Sequence, residues 1–332
     1  MKIRFISDIH AGLNMTYSPT EFVDIMKSKE SADVTLIAGD MDADIEEAKI
    51  FLQTYFPNEK VIFVGGNHII YNQRGKTLDY LLNEYNMLFN GQWTFLENDY
   101  IWLNEDIAVI GCIGWTDFLF GHQTKAQYIK SIEKERAYRE SHKETDSLVG
   151  DGKKVPIYYM GILPEDPAKE YDELDMGNKD SYRGRRMKDA ARNMNDYNCG
   201  RVMRDGEIDY LRPSDTYEMH KESMKAIKKC YNEIIAKNSN ATIILMTHHP
   251  FSKKCESTRY KDDPLNAAFI SNHDNWLKQF KQIKYIHCGH VHSRFFKKLQ
   301  DKQIICNPMG YLAYYENVQD IPFDINYTIE VK

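Results

Sequence analysis

An α/β fold built on a mostly parallel sheet is what this sequence of 332 residues predicts. Two observations carry that expectation. Short, nearly continuous apolar runs at Val34 to Ala38, Val61 to Val64, Thr242 to Met246 and Ile283 to Cys288 read as buried strands, with helical periodicity in much of the chain between them. Each run also closes in a short cluster containing Asp, Asn or His. Strands alternating with helices imply parallel pairing, and in open sheets of this kind sites form at the carboxyl ends of the strands.

Taken in order, Ile3 to Ser7 is a short strand pattern that ends in Asp8-Ile9-His10. Side chains at i and i+2 of an extended segment point the same way, so Asp8 and His10 share a face. Glu21 to Lys29 reads as an amphipathic helix with Thr20 as its N-cap. The strand Val34 to Ala38 closes in Gly39-Asp40, and Val61 to Val64 closes in Gly65-Gly66-Asn67-His68, with the helix Ile45 to Tyr55 between them. Leu78 to Leu88 is a further helix. Trp93 to Trp102 and Ile107 to Cys112 read as strands, the second leading into Gly114-Trp115-Thr116-Asp117-Phe118.

From Leu119 to Arg212 the character changes to Lys, Arg, Glu, Asp and Tyr, with few buried-strand runs. Lys125 to Lys143 has helical character with Thr124 as a cap, and Asp146 to Pro167 is broken by Gly and Pro. A connection this long is usually functional or disordered, so 119–212 is expected to be an inserted cap or specificity segment within a single domain, 1–332. Arg183, Arg185, Arg186 and Arg192 cluster there. They read either as a solvated charged face or as contacts for substrate phosphate.

Ser214 to Lys237 is a strong helix, with Ser214 as its cap. The strand Thr242 to Met246 ends in Thr247-His248-His249-Pro250. Phe269 to Phe280 reads as helix and Ile283 to Cys288 as strand, closing in Gly289-His290-Val291-His292, where two imidazoles again share a face. Gln303 to Cys306 is a strand closing in Asn307-Pro308-Met309-Gly310-Tyr311, and Phe323 to Val331 alternates like a final strand with one wet face.

Composition narrows the function. A net charge of −6 argues against a protein built to coat nucleic acid, although metal ions could supply local positive charge to a nuclease. The six cysteines are scattered without a C-x-x-C pair and read as reduced thiols of a cytoplasmic protein. No apolar run approaches membrane-spanning length. Met1 to Arg4 leads straight into a strand that carries site residues, so a cleavable signal is not expected.

Collected, the strand ends offer Asp8, His10, Asp40, Asn67, His68, His248, His290 and His292. This nitrogen and oxygen set, without thiolate, suits Mn, Fe, Co, Ni or Zn. It is large enough for two ions if one carboxylate bridges them. Two ions about 3.5–4 Å apart are a known arrangement for in-line attack at phosphorus.

The ordered pattern Asp-x-His, Gly-Asp, Gly-Asn-His, His-x-Pro, Gly-His-x-His, each after a strand, resembles the calcineurin-like metallophosphoesterase superfamily. The motifs run from residue 8 to residue 292. A looser likeness to a bacterial branch of that superfamily extends to Trp115-Thr116-Asp117-Phe118, Met194-Asn195-Asp196-Tyr197, Asp263-Pro264-Leu265-Asn266 and Asn307-Pro308-x-Gly310-Tyr311. Leu119 to Asp189 is longer and more charged than that branch leads one to expect, which leaves the substrate open.

The resemblance implies a four-layer α/β/β/α sandwich of two mixed sheets. It implies a dinuclear centre, with manganese the expected ion in vitro. Asp8, His10 and His292 would hold one ion, and Asn67, His248 and His290 the other, with Asp40 bridging. His248 rather than His249 is the implied ligand, being two residues before the proline. His68 would sit near the phosphate and the leaving oxygen. The expected activity is hydrolysis of a small-molecule phosphodiester or nucleotide by a bridging hydroxide. A phosphomonoesterase, including a protein phosphatase, and a nuclease are the alternatives within the enzyme class. A catalytically inactive scaffold is the alternative outside it, and the filled ligand positions argue against it. Asp117, Arg192, Asn195 and Asn266 are candidate substrate contacts, and Asp196 a candidate pocket residue.

Overall fold

The computed structural model describes residues 1–71, 75–122, 124–141, 164–258, 260–261, 263–313 and 322–332. Its strands are β1 (Lys2–Ile6), β2 (Val34–Ala38), β3 (Lys60–Val64), β4 (Trp93–Leu96), β5 (Asp99–Trp102), β6 (Ile107–Cys112), β7 (Arg201–Arg204), β8 (Glu207–Tyr210), β9 (Thr242–Thr247), β10 (Ile283–Cys288), β11 (Phe295–Leu299), β12 (Lys302–Cys306) and β13 (Thr328–Glu330). The helices are α1 (Ala11–Tyr17), α2 (Pro19–Lys27), α3 (Ile45–Tyr55), α4 (Leu78–Leu88), α5 (Lys125–Ser141), α6 (Pro167–Glu173), α7 (Lys179–Asn193), α8 (Asp196–Cys199), α9 (Pro213–Lys237) and α10 (Asp274–Leu277).

The strands form two large mixed sheets, ordered β13-β1-β2-β3-β4 and β11-β12-β10-β9-β6-β5, and β7 and β8 pair as a separate antiparallel ribbon. The central pairs are parallel, and β13, β11 and β5 add antiparallel edges. Three apolar layers follow from the pleat. Ile3, Phe5, Leu36, Val64, Val109 and Met246 fill the space between the sheets. Phe22, Phe51, Phe63 and Tyr85 bury the outer face of the first sheet under its helices. Ile227, Ile234, Leu245 and Ile286 do the same for the second sheet, chiefly under α9. Each central strand is therefore apolar on both faces, and the result is a four-layer α/β/β/α arrangement.

Where the structure differs from the sequence reading, tertiary contacts decide. The expected single strand Trp93 to Trp102 breaks at Asn98, which takes a positive φ of 58°. The chain there leaves the first sheet, where β4 pairs with β3, for the second, where β5 pairs with β6. The expected helix Phe269 to Phe280 is only α10, preceded by a 3-10 turn at Pro264–Ala268. The backbone N–H groups of Ser271 and His273 donate instead to the carbonyls of Pro250 and Phe251. The first helix was not foreseen, and α2 starts at Pro19 with Ser18 rather than Thr20 at its cap position. Helix α9 begins at Pro213, so Arg212 rather than Ser214 is its N-cap, and the Asp215 carboxylate accepts the Arg212 N–H at 2.8 Å. Strand β11 was missed, since its sequence Phe-Phe-Lys-Lys-Leu has no clean alternation.

Within 119–212 the arginines of α7 are paired with carboxylates, one of them on α6 and two on α7 itself. Arg185 meets Glu170 at 2.7 Å, Arg183 meets Asp180 at 2.6 Å and Arg186 meets Asp189 at 3.2 Å. Ala190, Met194, Tyr197 and Leu211 join the core outside the first sheet. Most of the irregular stretch expected at Asp146 to Pro167, and the expected end of a helix at Lys143, lie outside the described residues.

Candidate metal centre

Five loops at the carboxyl ends of β1, β2, β3, β9 and β10 converge on one point. Their backbones hold each other in place. Asp8 N–H donates to the Gly39 carbonyl at 3.0 Å, His10 N–H to the Asp40 carbonyl at 3.0 Å, and Gly289 N–H to the His248 carbonyl at 3.0 Å. The turns are sharp: Asp8, His10, Asp40, His290 and His292 all have φ between 44° and 66°. A left-handed backbone at five non-glycine residues costs about 1–3 kcal/mol each, and such strain concentrates at functional sites. Gly66 is required by close approach, because a Cβ there would collide with the Asp40 carboxylate. Gly39 combines a φ of 89° with a similar collision against the His248 ring.

The side chains form three overlapping groups: Asp8, His10 and His292; His10, Asp40 and His68; and Asp40, His248 and His290. In the first, His10 Nε2 faces His292 Nε2 at 3.1 Å, and His292 Nε2 lies 3.4 Å from Asp8 Oδ1. In the last, His248 Nε2 lies 3.3 Å from Asp40 Oδ2 and 3.0 Å from Asn67 Oδ1. Asp40 joins the groups, with its Oδ2 also 3.9 Å from His68 Nε2 and 4.0 Å from His10 Nε2. Its Oδ1 accepts the His68 backbone N–H at 3.0 Å.

Both ring nitrogens of His248 face acceptors, since Nδ1 lies 2.9 Å from the Ala38 carbonyl. Burial alone would pull this imidazole down. The Asp40 carboxylate beside it, with help from Asp8, outweighs burial and pushes it up to about 9. Asp40 shows the reciprocal effect: burial opposes its charge, yet His248, His68 and His10 hold it well below the usual carboxylate range. His10 and His290 go the other way, pushed down first by burial and then by neighbouring histidines.

The residues fit divalent cations. Among the described residues, Asp8 Oδ2 and His290 Nε2 are buried without a hydrogen-bond partner, a costly state unless something else satisfies them. The donors are imidazole, carboxylate and amide oxygen, the set that suits borderline and hard ions. The Nδ1–H of His248 on a backbone carbonyl is the outer contact that orients a ligating histidine.

His68 is more open than Asp40 or His248. Its side chain is 12% exposed and lines a cleft of about 380 Å³ with His10. Tyr311 Oη lies 3.1 Å from His68 Nε2, and the Tyr71 ring packs on the imidazole with centroids 4.2 Å apart. The sequence assigns neither tyrosine a role, although Tyr311 follows the turn at the end of β12. His249 is packed between the Trp115 and His290 rings, 5.0 and 4.1 Å away.

The candidate substrate and pocket residues lie in varied settings, and of them Asp196 adjoins the centre. The Asn266 amide donates to the Tyr260 carbonyl at 2.6 Å. Arg192 is exposed in the last turn of α7. Asn195 is exposed, and its carbonyl accepts N–H groups from Asn198 and Cys199. Asp117 belongs to a fourth group with His220 and His273. Asp196 is 1% exposed, and burial pushes its carboxyl up, while Asn67 and His68 beside it pull it down.

Comparison with known proteins agrees with this geometry. The calcineurin-like phosphoesterase family model matches residues 1–197. That span carries Asp8, His10, Asp40, Asn67 and His68, while His248, His290 and His292 lie beyond it. The phosphopantetheinyl hydrolase of Mycobacterium tuberculosis shares the fold at a TM-score of 0.56 and 14% identity, over 99% of this chain and 95% of that one. A candidate 5′-nucleotidase of Staphylococcus aureus matches at a TM-score of 0.40 and 12% identity, over 92% of this chain and 48% of that one, too distant to carry an argument. No curated protein matches the sequence. With more than half its length matched by the family model and its imidazoles and carboxylates gathered at the strand ends, the chain belongs to the calcineurin-like phosphoesterase family.

Proposed function

We propose that this phosphoesterase binds two divalent cations and hydrolyses a small-molecule phosphodiester or nucleotide. The observation that carries the reading is Asp40, whose carboxylate lies within 4.0 Å of imidazoles from two ligand groups, His10 and His248. In this reading Asp8, His10 and His292 hold one cation, Asn67, His248 and His290 the other, and Asp40 bridges. Bound cations of this class supply Lewis acidity and a nucleophilic water at neutral pH. Manganese is the ion to try first in vitro, with Fe, Zn, Co and Ni as alternatives.

The chain's own residues do the rest. His68 reaches the cleft and can give a proton or hydrogen bond to the leaving oxygen, an effect worth roughly 10²–10⁴-fold. Tyr311 and Tyr71 hold its ring in position. The cleft beside it is lined by Asp42, Asp44 and Glu47 together with Leu13 and Met15. Carboxylates on the approach disfavour a polyanion, which supports a small amphipathic substrate over a nucleic acid. The segment 119–212 is proposed as the cap that selects the substrate; Arg192 and Asn195 within it, and Asp117 and Asn266 outside it, are the candidate contacts. The location is proposed as cytoplasmic; among the described residues no helix is long and apolar enough to cross a membrane.

The test is turnover of bis-p-nitrophenyl phosphate, p-nitrophenyl phosphate and single-stranded DNA with manganese present. The diester should be cleaved fastest. Faster release from the monoester would make the protein a phosphomonoesterase, and preference for DNA would make it a nuclease. Metal uptake without cleavage of any phosphoester would point to a scaffold. A panel of cyclic nucleotides, dinucleotides, nucleotide diphosphate conjugates and a phosphopantetheinyl ester would then narrow the substrate.

A further inference from the structure

We propose that Asp117, His220 and His273 form a separate binding site for one divalent cation of the borderline class, with zinc the best match. The three residues come from different elements. Asp117 lies in the loop after β6, His220 lies inside α9, and His273 caps α10. One ligand atom from each lies within 4.8 Å of the other two, and the group shares no residue with the Asp40 centre.

The tautomer of His220 follows from its neighbours. Its Nδ1 faces the Gly114 carbonyl at 2.8 Å and the Trp115 carbonyl at 3.3 Å. A carbonyl only accepts, so the proton sits on Nδ1 and Nε2 presents a bare lone pair. That lone pair points at His273 Nε2, 2.9 Å away, and His273 Nε2 lies 3.8 Å from Asp117 Oδ2. Bonds of about 2.0–2.1 Å to a tetrahedral ion place its ligand atoms roughly 3.3 Å apart. The two observed separations bracket that value.

The surroundings suit a ligand set as well. Asp117 Oδ1 is taken by the Leu119 N–H at 3.0 Å, and the Asp117 N–H donates to Ser271 Oγ at 3.0 Å, which fixes the carboxylate and leaves Oδ2 turned inward. The Nδ1–H of His220 on a backbone carbonyl is the outer contact that ligating imidazoles make. Two imidazoles and one carboxylate are a common zinc set, with a fourth position for water. Solvent can reach that position, since the side chains of Asp117 and His273 are 14% and 18% exposed. A cation there would tie the β6 loop, α9 and the α10 cap together. The competing arrangement is a single hydrogen bond from His273 Nε2–H to His220 Nε2, with no ion.

Two measurements on the full chain decide. Crystals soaked in zinc chloride, with data on either side of the zinc edge, should show an anomalous peak among Asp117, His220 and His273. No peak there at millimolar zinc overturns the proposal, whether or not the Asp40 centre is filled. In solution, zinc per chain after gel filtration should fall by one equivalent from wild type to His273→Ala. An unchanged count overturns it. If His273→Ala does not fold, Asp117→Ala gives the same reading. The difference between variant and wild type isolates this site, so fewer ions than two at the Asp40 centre would change the total and not the difference.

Discussion

Two clusters of imidazole and carboxylate groups invite comparison. The Asp40 cluster takes every residue from the carboxyl end of a parallel strand, and five of its side chains sit on left-handed backbone. The Asp117 cluster draws on a loop, a helix interior and a helix cap, and none of its three residues has a positive φ. The first stores strain, which persists only where the surrounding sheet rims over-determine it. The second has ordinary backbone at its own three residues, although Asp117 is flanked by Trp115 and Phe118 at φ 43° and 54°, and it joins elements far apart in the chain. Left-handed backbone at the ligating residues themselves is what separates the first cluster from the second.

The largest expected effect tests the first half of that contrast. Asp40→Asn removes the carboxylate shared by two groups, and turnover should fall to background, by about 10³-fold or more. Gly66→Ala should do the same by pushing the Asp40 carboxylate aside. Steady-state assays with matched metal analysis check both, and substantial activity in Asp40→Asn would refute the bridging role.

His68→Ala should lower kcat by roughly 10²–10⁴-fold, most for poor leaving groups, with metal content nearly unchanged. Loss of metal in that variant would move His68 from proton donor to ligand. Tyr311 acts through His68, so Tyr311→Phe should cost about fivefold in kcat, the worth of one ordinary hydrogen bond. The same change in a His68→Ala background should cost nothing.

The pH dependence of cation uptake follows from His248. Its folded pKa, pushed up to about 9, exceeds the ordinary value of 6.5. The stability it lends the metal-free protein is therefore full below about 6.5 and is lost as pH rises through 9. A cation must displace that proton, so below pH 9 affinity should rise by about tenfold per pH unit. Calorimetric titration of metal-free protein at pH 6.5 and 8.5 would show this, and a flat profile would mean that His248 is not a ligand. The smallest effect belongs to the second cluster: His273→Ala should leave phosphoester turnover within about twofold of wild type. A loss comparable to that of His68→Ala would erase the distinction between the two clusters.

The Asp40 cluster was legible because its signals are local. Asp8 and His10, or His290 and His292, stand just past an apolar run that says where the strand stops; they meet through left-handed turns, however, and not by the period of two expected of an extended segment. The second cluster left no such trace. His220 reads as one more residue of a long helix, and His273 fell inside a segment expected to be helical. The split at Asn98 was also invisible, because a strand that changes sheets alternates no differently from one that does not. Nor could composition show that Arg183, Arg185 and Arg186 are already paired with carboxylates.

By itself the sequence determined the elements of the central sheets, the order of the strand-end motifs and the chemical character of the donor set. Burial on both faces of a strand and the spacing of polar residues at its end are written in consecutive residues. Only the tertiary structure decided that the chain crosses from the first sheet to the second at Asn98, that left-handed turns gather the ligands, and that Tyr311 bears on His68. It also brought His220 and His273 to Asp117. These depend on contacts between segments tens to hundreds of residues apart, where each partner's position is set by packing and not by its sequence neighbours.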